Sequence, residues 1–137
     1  MHNRHYREFF DTKLAELRLA VVGDVMIDRY FYGDVTRISP EAPVPINKIN
    51  RTRSLLGGAG NVAANLAGLG CRVILSGICG QDENKVLMES LLTQAGIDYG
   101  GIVACADRQT TTKLRVLGAR QQMLRLDFEQ VEAVGME

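Results

Sequence analysis

The sequence predicts an α/β protein in which a parallel sheet carries a second, smaller sheet. Three near-continuous apolar runs, "LRLAVVG", "CRVILSGICG" and "GGIVACA", are typical of strands buried on both faces of a parallel sheet. Helical patterns separate these runs, so the order strand, helix, strand, helix, strand indicates layered packing with right-handed crossovers. Two further segments interrupt that order with edge strands and turns.

The N-terminal residues 1–17 form an amphipathic pattern. Apolar side chains recur there at steps of three and four, which predicts a helix. They are Tyr6, Phe9, Phe10, Leu14 and Leu17.

A helix is also predicted between the second and third apolar runs, in "QDENKVLMESLLTQAGI". Asp82 suits its N-cap and Gly96 its C-terminal stop. Leu87, Leu91 and Ala95 form one apolar stripe along it.

The two interrupting segments are residues 29–56 and 110–128. The first contains all three prolines of the chain among aromatic and β-branched residues, which favours edge strands and turns. The second alternates apolar and polar side chains, which predicts a hairpin with one face of each kind. Its apolar members are Leu114, Val116, Leu124, Leu126 and Phe128, and its polar members are Lys113, Arg115, Arg125 and Asp127.

Composition favours a small-molecule ligand over a macromolecular or membrane partner. Lys+Arg and Asp+Glu number 16 each, so no net charge attracts nucleic acid or an anionic membrane. The longest apolar runs are too short to span a bilayer, and the start "MHNRHYREFF" lacks the apolar core of a signal peptide. We therefore expect a cytoplasmic protein.

The cysteines agree with a reducing compartment, because Cys71, Cys79 and Cys105 are odd in number and form no C-x-x-C pair. Cys79 has two possible roles. A nearby helix start would lower the pKa of its thiol, whereas burial at a strand end would make it a small apolar residue. The second role is the expected one.

A glycine-rich loop opens the small-residue helix in "LLGGAGNVAANLAGLG", residues 55–70. Residues 58–63 satisfy the dinucleotide fingerprint G-x-G-x-x-A. That fingerprint should follow the first core strand directly, and an acidic residue should end the next strand. Neither condition is met, and no G-x-x-x-x-G-K-[ST] phosphate loop occurs. A dinucleotide-binding module is therefore the weaker alternative.

The other interpretation of this loop is a site for a polyol. Glycines allow close approach to the backbone, and the Asn61 amide both donates to and accepts from hydroxyl groups. Asn61 equally suits the N-cap of the helix. The residues alone leave both roles open.

Several motifs in register resemble the ribokinase or PfkB family of carbohydrate kinases. They are "VVGDVMIDRY", "GGAGNVAANLAGLG" and "GICGQD", in the family's order, and the resemblance runs from Leu17 to Glu129. "GDVTRISPEAPVP" and "TKLRVLGARQQMLRLDFE" resemble the branch that acts on D-glycero-β-D-manno-heptose 7-phosphate in ADP-heptose synthesis for lipopolysaccharide, often fused to an adenylyltransferase. The resemblance implies the N-terminal part of a ribokinase-like three-layer α/β sheet.

The resemblance also implies site residues for a sugar. Asp28 takes the place of the aspartate that binds sugar hydroxyls, and Asp24 either lines the site or caps the turn. The sugar-binding loop would consist of Gly57, Gly58, Gly60 and Asn61. The two interrupting segments would form a β lid that closes over the sugar and serves as a homodimer interface.

A substrate that already carries a phosphate needs positive charge nearby. Lys113 and Arg115 are candidate phosphate contacts within a stretch that runs from Arg108 to Arg125 without an acidic residue. The alternative is a solvated strand face whose charges discourage edge aggregation. Arg29 and Arg37 are weaker candidates.

The chain departs from the family because the G-A-G-D motif, which carries the catalytic aspartate and anion hole, does not occur in it. ATP and Mg²⁺ would bind the parent enzyme through residues outside this sequence. We therefore expect no catalytic, cofactor-binding or metal-binding residue here and no catalysis by these residues alone. A non-catalytic assembly domain is a further alternative.

Overall fold

The computed structural model describes residues 6, 13–119, 121–133 and 135. The strands are β1 (Arg18–Val22), β2 (Val25–Ile38), β3 (Pro45–Gly58), β4 (Arg72–Gly80), β5 (Asp98–Cys105), β6 (Thr112–Gly118) and β7 (Gln121–Phe128). The helices are α1 (Leu14–Glu16), α2 (Ala59–Gly68) and α3 (Glu83–Gln94). Phe9 and Phe10 of the predicted N-terminal helix lie outside the described residues. Within those residues no helix has the length and apolar character to cross a membrane.

The main sheet has the predicted parallel topology. Its strand order is β1-β4-β5, and β4 pairs in parallel with both neighbours. The crossovers through α2 and α3 complete the α/β order predicted from the apolar runs. The core between this sheet and the helices includes Ala63, Val73, Leu75, Met88 and Leu92.

Only one face of the main sheet is covered by the described residues. On the other face Val22 is 78% exposed and Val103 is 59% exposed. The prediction that these strands are buried on both faces is therefore wrong for this part of the chain. The two crossovers continue in the same direction across the sheet, so both helices pack on the same face.

Helix α3 begins and ends where the sequence predicts. Asp82 is its N-cap, and its Oδ1 accepts a hydrogen bond from the Lys85 N–H at 3.0 Å. Gly96 follows the helix with a φ of 68°, a conformation that glycine adopts without a steric penalty. The predicted stripe packs against the core at its margin, whereas the fully buried residues of the helix are Met88 and Leu92.

The second sheet has four strands in the order β3-β2-β6-β7, so among the described residues it is not the smaller sheet that the sequence predicts, because the main sheet has three. β2 pairs antiparallel with β3 and parallel with β6, so it is an interior strand. The prediction of edge strands for residues 29–56 therefore holds for β3 and is wrong for β2. β6 and β7 pair antiparallel, which confirms the predicted hairpin. Pro40 and Pro43 lie in the connection between β2 and β3, and Pro45 begins β3. Such positions suit proline, which donates no hydrogen bond to a strand ladder.

Candidate functional site

The two sheets meet at the carboxyl end of β1. The chain passes from β1 into β2 through Gly23 and Asp24, and it returns from β3 into α2 through Gly58. The Ala59 N–H donates to the Asp24 carbonyl oxygen at 2.9 Å and ties the two passages together. A cavity of about 660 Å³ opens beside Asp24 and also contacts Gly77 at the carboxyl half of β4. Open α/β sheets bind ligands at the carboxyl ends of their parallel strands.

Asp28, Gly57 and Arg115 come together on one face of the second sheet. A Cβ on Gly57 would lie 2.7 Å from the Asp28 Oδ2, so glycine leaves the room that this carboxylate occupies. The Arg115 Nη1 donates to the Asp28 Oδ1 at 2.5 Å, and each side chain is 21% exposed. Among the described residues no group donates to the Asp28 Oδ2. That oxygen can accept a hydrogen bond from a ligand.

The hydrogen bond to Asp28 raises the pKa of Arg115 above its already high ordinary value. The guanidinium is therefore always charged. It also lies 5.3 Å from the centre of the Tyr30 ring, in the range of a cation–π contact. One of its donors is committed to Asp28, and a guanidinium has five.

Gly58 gives the loop its shape. It has φ 53° and ψ −130° and forms the N-cap of α2, and a Cβ here would collide with the Asp24 carbonyl oxygen. Gly60 is buried in the first turn, where its built Cβ would lie 3.2 Å from the Leu56 Cβ. The strand and helix thus approach each other closely, as the glycines predict.

Asn61 lies inside the first turn of α2, with its side chain exposed. The alternative that it caps this helix is wrong, because the helix begins two residues earlier and Gly58 is the N-cap. Its Oδ1 lies 3.5 Å from the Asn65 Nδ2, a weak contact. The Asn61 amide remains accessible to a ligand.

Lys113 lies opposite Asp28 in the register of β2 and β6. Its amine nevertheless contacts other carboxylates, whereas the Arg115 guanidinium contacts Asp28. The Lys113 Nζ lies 3.3 Å from Asp127 and 3.1 Å from Glu129. The hydrogen bonds to Glu129 and Asp127 raise the pKa of Lys113. Two carboxylates therefore offset its charge before any ligand binds.

Arg29 and Arg37 do not join this group. Arg29 alternates with Asp28 along β2, so its side chain lies on the opposite face, where it pairs with Leu114 and contacts the Phe31 ring at 5.6 Å. Arg37 pairs with Ile46 near the far end of β2.

The residue that sequence reasoning missed on the Asp28 face is Arg53. It pairs with Tyr30 across β2 and β3, so it projects from the same face as Asp28. Arg51, two residues earlier, lies 4.0 Å from the Tyr32 ring centre. The sequence feature that could have identified Arg53 is the spacing of two arginines by one residue in "INRTRSLL". In a strand this spacing places Arg51 and Arg53 on the same face.

The apolar face of the β6–β7 hairpin is open. Leu124 is 51% exposed and Phe128 is 44% exposed, and Leu126 lies between them on the same face. An apolar strand surface of this kind favours contact with another protein surface.

Cys79 is 1% exposed, and burial raises the pKa of its thiol. The interpretation that a helix start activates this thiol is therefore wrong, and the cysteine acts as a small core residue. In the part of the chain that the structure describes, no group of three or more His, Cys, Asp or Glu side chains is placed to hold a metal ion.

The glycine loop does not have the context of a dinucleotide site. It follows β3, an antiparallel strand of the second sheet, whereas the fingerprint follows a parallel strand of the central sheet. The fold thus favours the polyol interpretation of the loop.

Comparison with known proteins agrees with this arrangement. The chain is 49% identical over 118 residues to a D-beta-D-heptose 7-phosphate kinase of Bordetella bronchiseptica, covering 86% of this chain and 37% of the relative. It is 52% identical over 119 residues to a bifunctional protein HldE of Methylococcus capsulatus, covering 87% of this chain and 24% of the relative. The chain thus spans 24–37% of the length of these relatives.

A solved carbohydrate kinase from Agrobacterium tumefaciens superposes with a TM-score of 0.65 at 26% identity, covering 81% of this chain and 35% of that one. The ribokinase-like α/β fold is therefore confirmed. The model of the pfkB family of carbohydrate kinases matches residues 16–133. The chain belongs to the pfkB carbohydrate kinase family.

Proposed function

We propose that this chain forms the sugar-binding part of an ATP-dependent kinase that phosphorylates D-glycero-β-D-manno-heptose 7-phosphate at its anomeric hydroxyl. The observation that carries the proposal is the Asp28 carboxylate, which lies over Gly57 with Oδ2 open to a ligand. The name of the Bordetella bronchiseptica relative, which is 49% identical to the chain, supports the heptose substrate. The pathway would be ADP-heptose synthesis for lipopolysaccharide, in the cytoplasm.

In this proposal Asp28 Oδ2 accepts hydrogen bonds from sugar hydroxyls, and a charged acceptor makes these bonds strong. Gly57 leaves the room in which the Asp28 carboxylate is positioned, and Gly58 allows the close turn from β3 into α2. Gly60 lets the first turn of α2 pack closely, and the Asn61 amide completes the polar lining. Asp24 lines the adjoining cavity. These residues bind and orient the sugar.

The phosphate of the substrate would contact Arg115 and Lys113. Arg115 is better supported, because it lies at Asp28 and, among the described residues, only one of its donors is committed. Lys113 would have to exchange part of its pairing with Asp127 and Glu129 for the phosphate.

ATP would supply the transferred phosphoryl group, and Mg²⁺ would offset the charge of its phosphates. The proposal assigns both groups, with the catalytic base, to a Gly-Ala-Gly-Asp segment of the complete kinase. The second sheet would act as the lid that excludes water from the transfer. Its open apolar face, with Leu124 and Phe128, would form the homodimer contact.

Calorimetric titration of the chain with heptose 7-phosphate tests the sugar site directly. We expect saturable binding that Asp28→Asn weakens by about ten- to a hundredfold, the value of a hydrogen bond to a charged group. The matched control is Asp34→Asn, which removes an exposed carboxylate from the same strand. Equal affinity in all three proteins would contradict the assignment of Asp28.

A chimaera tests the activity. The chain would replace the matching segment of the Bordetella bronchiseptica relative, and ADP release would be measured with heptose 7-phosphate and ATP. A working chimaera in which Asp28→Asn raises KM supports the sugar role. Unchanged kinetics in that variant with a persistent dimer would instead indicate an assembly domain, and saturable binding of NAD(H) or NADP(H) by the chain would indicate a dinucleotide module.

A further inference from the structure

A hydrogen-bonded group outside the sugar loop joins the two sheets. The Asp82 Oδ2 accepts from the Thr110 N–H at 2.8 Å, and its Oδ1 accepts from the Thr110 hydroxyl at 2.7 Å. The Thr110 Oγ1 in turn accepts from the Gly80 N–H at 3.1 Å. Thr110 is fully buried, so its polar atoms depend on these partners.

The backbone around Asp82 and Thr110 is closely packed. A Cβ on Gly80 would collide with the backbone of residues 108–110, so the end of β4 and this segment are in direct contact. Burial raises the pKa of the Asp82 carboxyl, but the hydrogen bonds from Thr110 and from the Lys85 N–H outweigh it and lower the pKa overall. Asp82 is therefore an ionised, acceptor-only group near neutral pH.

Thr110 lies two residues before β6, the strand that carries Arg115. The Ile27 N–H donates to the Thr111 carbonyl at 2.9 Å, and β6 begins at Thr112, opposite Ile27. From there the parallel register places Arg115 beside Tyr30, within reach of Asp28. The position of Thr110 therefore determines the register in which β6 begins to pair with β2.

We propose that Asp82 and Thr110 are positioning residues that fix β6 to the main sheet, so that Arg115 meets Asp28 in the sugar site. Asp82 thereby caps α3 and anchors the second sheet with the same carboxylate. The link to the sugar rests on the proposed function, whereas the anchoring of β6 does not.

Amide hydrogen exchange of the full 137-residue chain tests the anchoring without any ligand. The test variant is Thr110→Val, which keeps the shape and loses the hydroxyl, and the rescue variant is Thr110→Ser, which retains it. Thr93→Val is the matched control. Among the described residues the Thr93 hydroxyl bonds only to the Glu89 carbonyl of α3 and the Tyr99 hydroxyl of β5, so it has no contact with β6. We expect exchange at the β6 amides to rise about tenfold or more in Thr110→Val alone. The amides of β5 and of β4 should be unchanged, apart from the Gly80 amide, which loses its acceptor.

An equal rise across both sheets would show that Thr110 supports the whole fold without positioning β6, and no rise would show that it does neither. Either result overturns the proposal.

Titration with heptose 7-phosphate then tests the link to the sugar. If the unaltered chain binds, we expect Thr110→Val to weaken binding about tenfold and Thr110→Ser to restore it. Unchanged affinity in Thr110→Val, together with faster exchange in β6, would overturn the link to the sugar site. Failure of the unaltered chain to bind would contradict the proposed function and leave the exchange result to decide the anchoring.

Discussion

The main sheet and the second sheet are stabilised by different kinds of interaction. In the main sheet Leu75 is fully buried and Val73 is 4% exposed, and both pack under α2 and α3. In the second sheet every residue of β7 is exposed, and ordered contacts run between polar partners such as Arg115 and Asp28. The main sheet is therefore stabilised by apolar burial under its helices. The second sheet adds Val25, Ile27 and Leu56 to that core where it joins the main sheet, and farther out it holds charged groups at defined positions.

The largest expected effect is in the covered face of the main sheet. Leu75→Ala should lower the free energy of unfolding by about 2–5 kcal/mol, because it removes a buried side chain and leaves a cavity. Val103→Ala on the open face should change it by only about 0.5 kcal/mol. Urea unfolding of the two variants measures the contrast. Similar losses in both would show that the open face is covered in solution.

The junction of the two sheets should be the next most sensitive point. Gly58→Ala should lower the free energy of unfolding by about 1–3 kcal/mol, because alanine is strained at this φ and its Cβ meets the Asp24 carbonyl. Gly68→Ala is the control, since nothing lies within 4 Å of a Cβ there. Thermal unfolding followed by circular dichroism compares them. Equal stability of the two variants would contradict the strained geometry of Gly58.

The anchor between the sheets should depend on pH. Because the pKa of Asp82 is lower in the folded chain than its unfolded value of about 3.9, its contribution is present above that pH. It is lost as the pH falls through the folded pKa. Asp82→Asn should cost about 1–3 kcal/mol near neutral pH.

Unfolding midpoints measured from pH 6 down to pH 3 should show this difference narrowing toward the acidic end. Asp107→Asn, which removes an exposed turn carboxylate, is the control for a change of charge alone. A difference between Asp82→Asn and the unaltered chain that stays constant with pH would argue against an ionised Asp82.

The smallest effect should lie in the polar face of the second sheet. Lys113→Gln should change the free energy of unfolding by about 0–1 kcal/mol, because its ion pairs with Asp127 and Glu129 are partly exposed to water. Added salt should reduce even this difference. Lys48→Gln, at an exposed position of β3, is the control for urea unfolding. A loss as large as that of Leu75→Ala would show that the second sheet is held by its charges.

The sequence alone determined the elements whose causes are local. Apolar runs marked β1, β4 and β5, the Asp82 cap and Gly96 bounded α3, and alternation predicted the β6–β7 hairpin. These follow from backbone preferences and from the spacing of apolar side chains, which neighbours in the chain define. Motifs that occur in register also pointed, through the family resemblance, to the loop glycines and Asp28 as candidates for the sugar site.

Only the tertiary structure decided which distant residues meet. The parallel pairing of β2 with β6 brings Arg115 to Asp28, 87 positions earlier in the chain, while Lys113 pairs with Asp127 and Glu129. The same assembly left one face of the main sheet open and joined Asp82 to Thr110. Strand order and crossover direction set these outcomes, and they arise from packing between segments far apart in sequence, which no local pattern encodes.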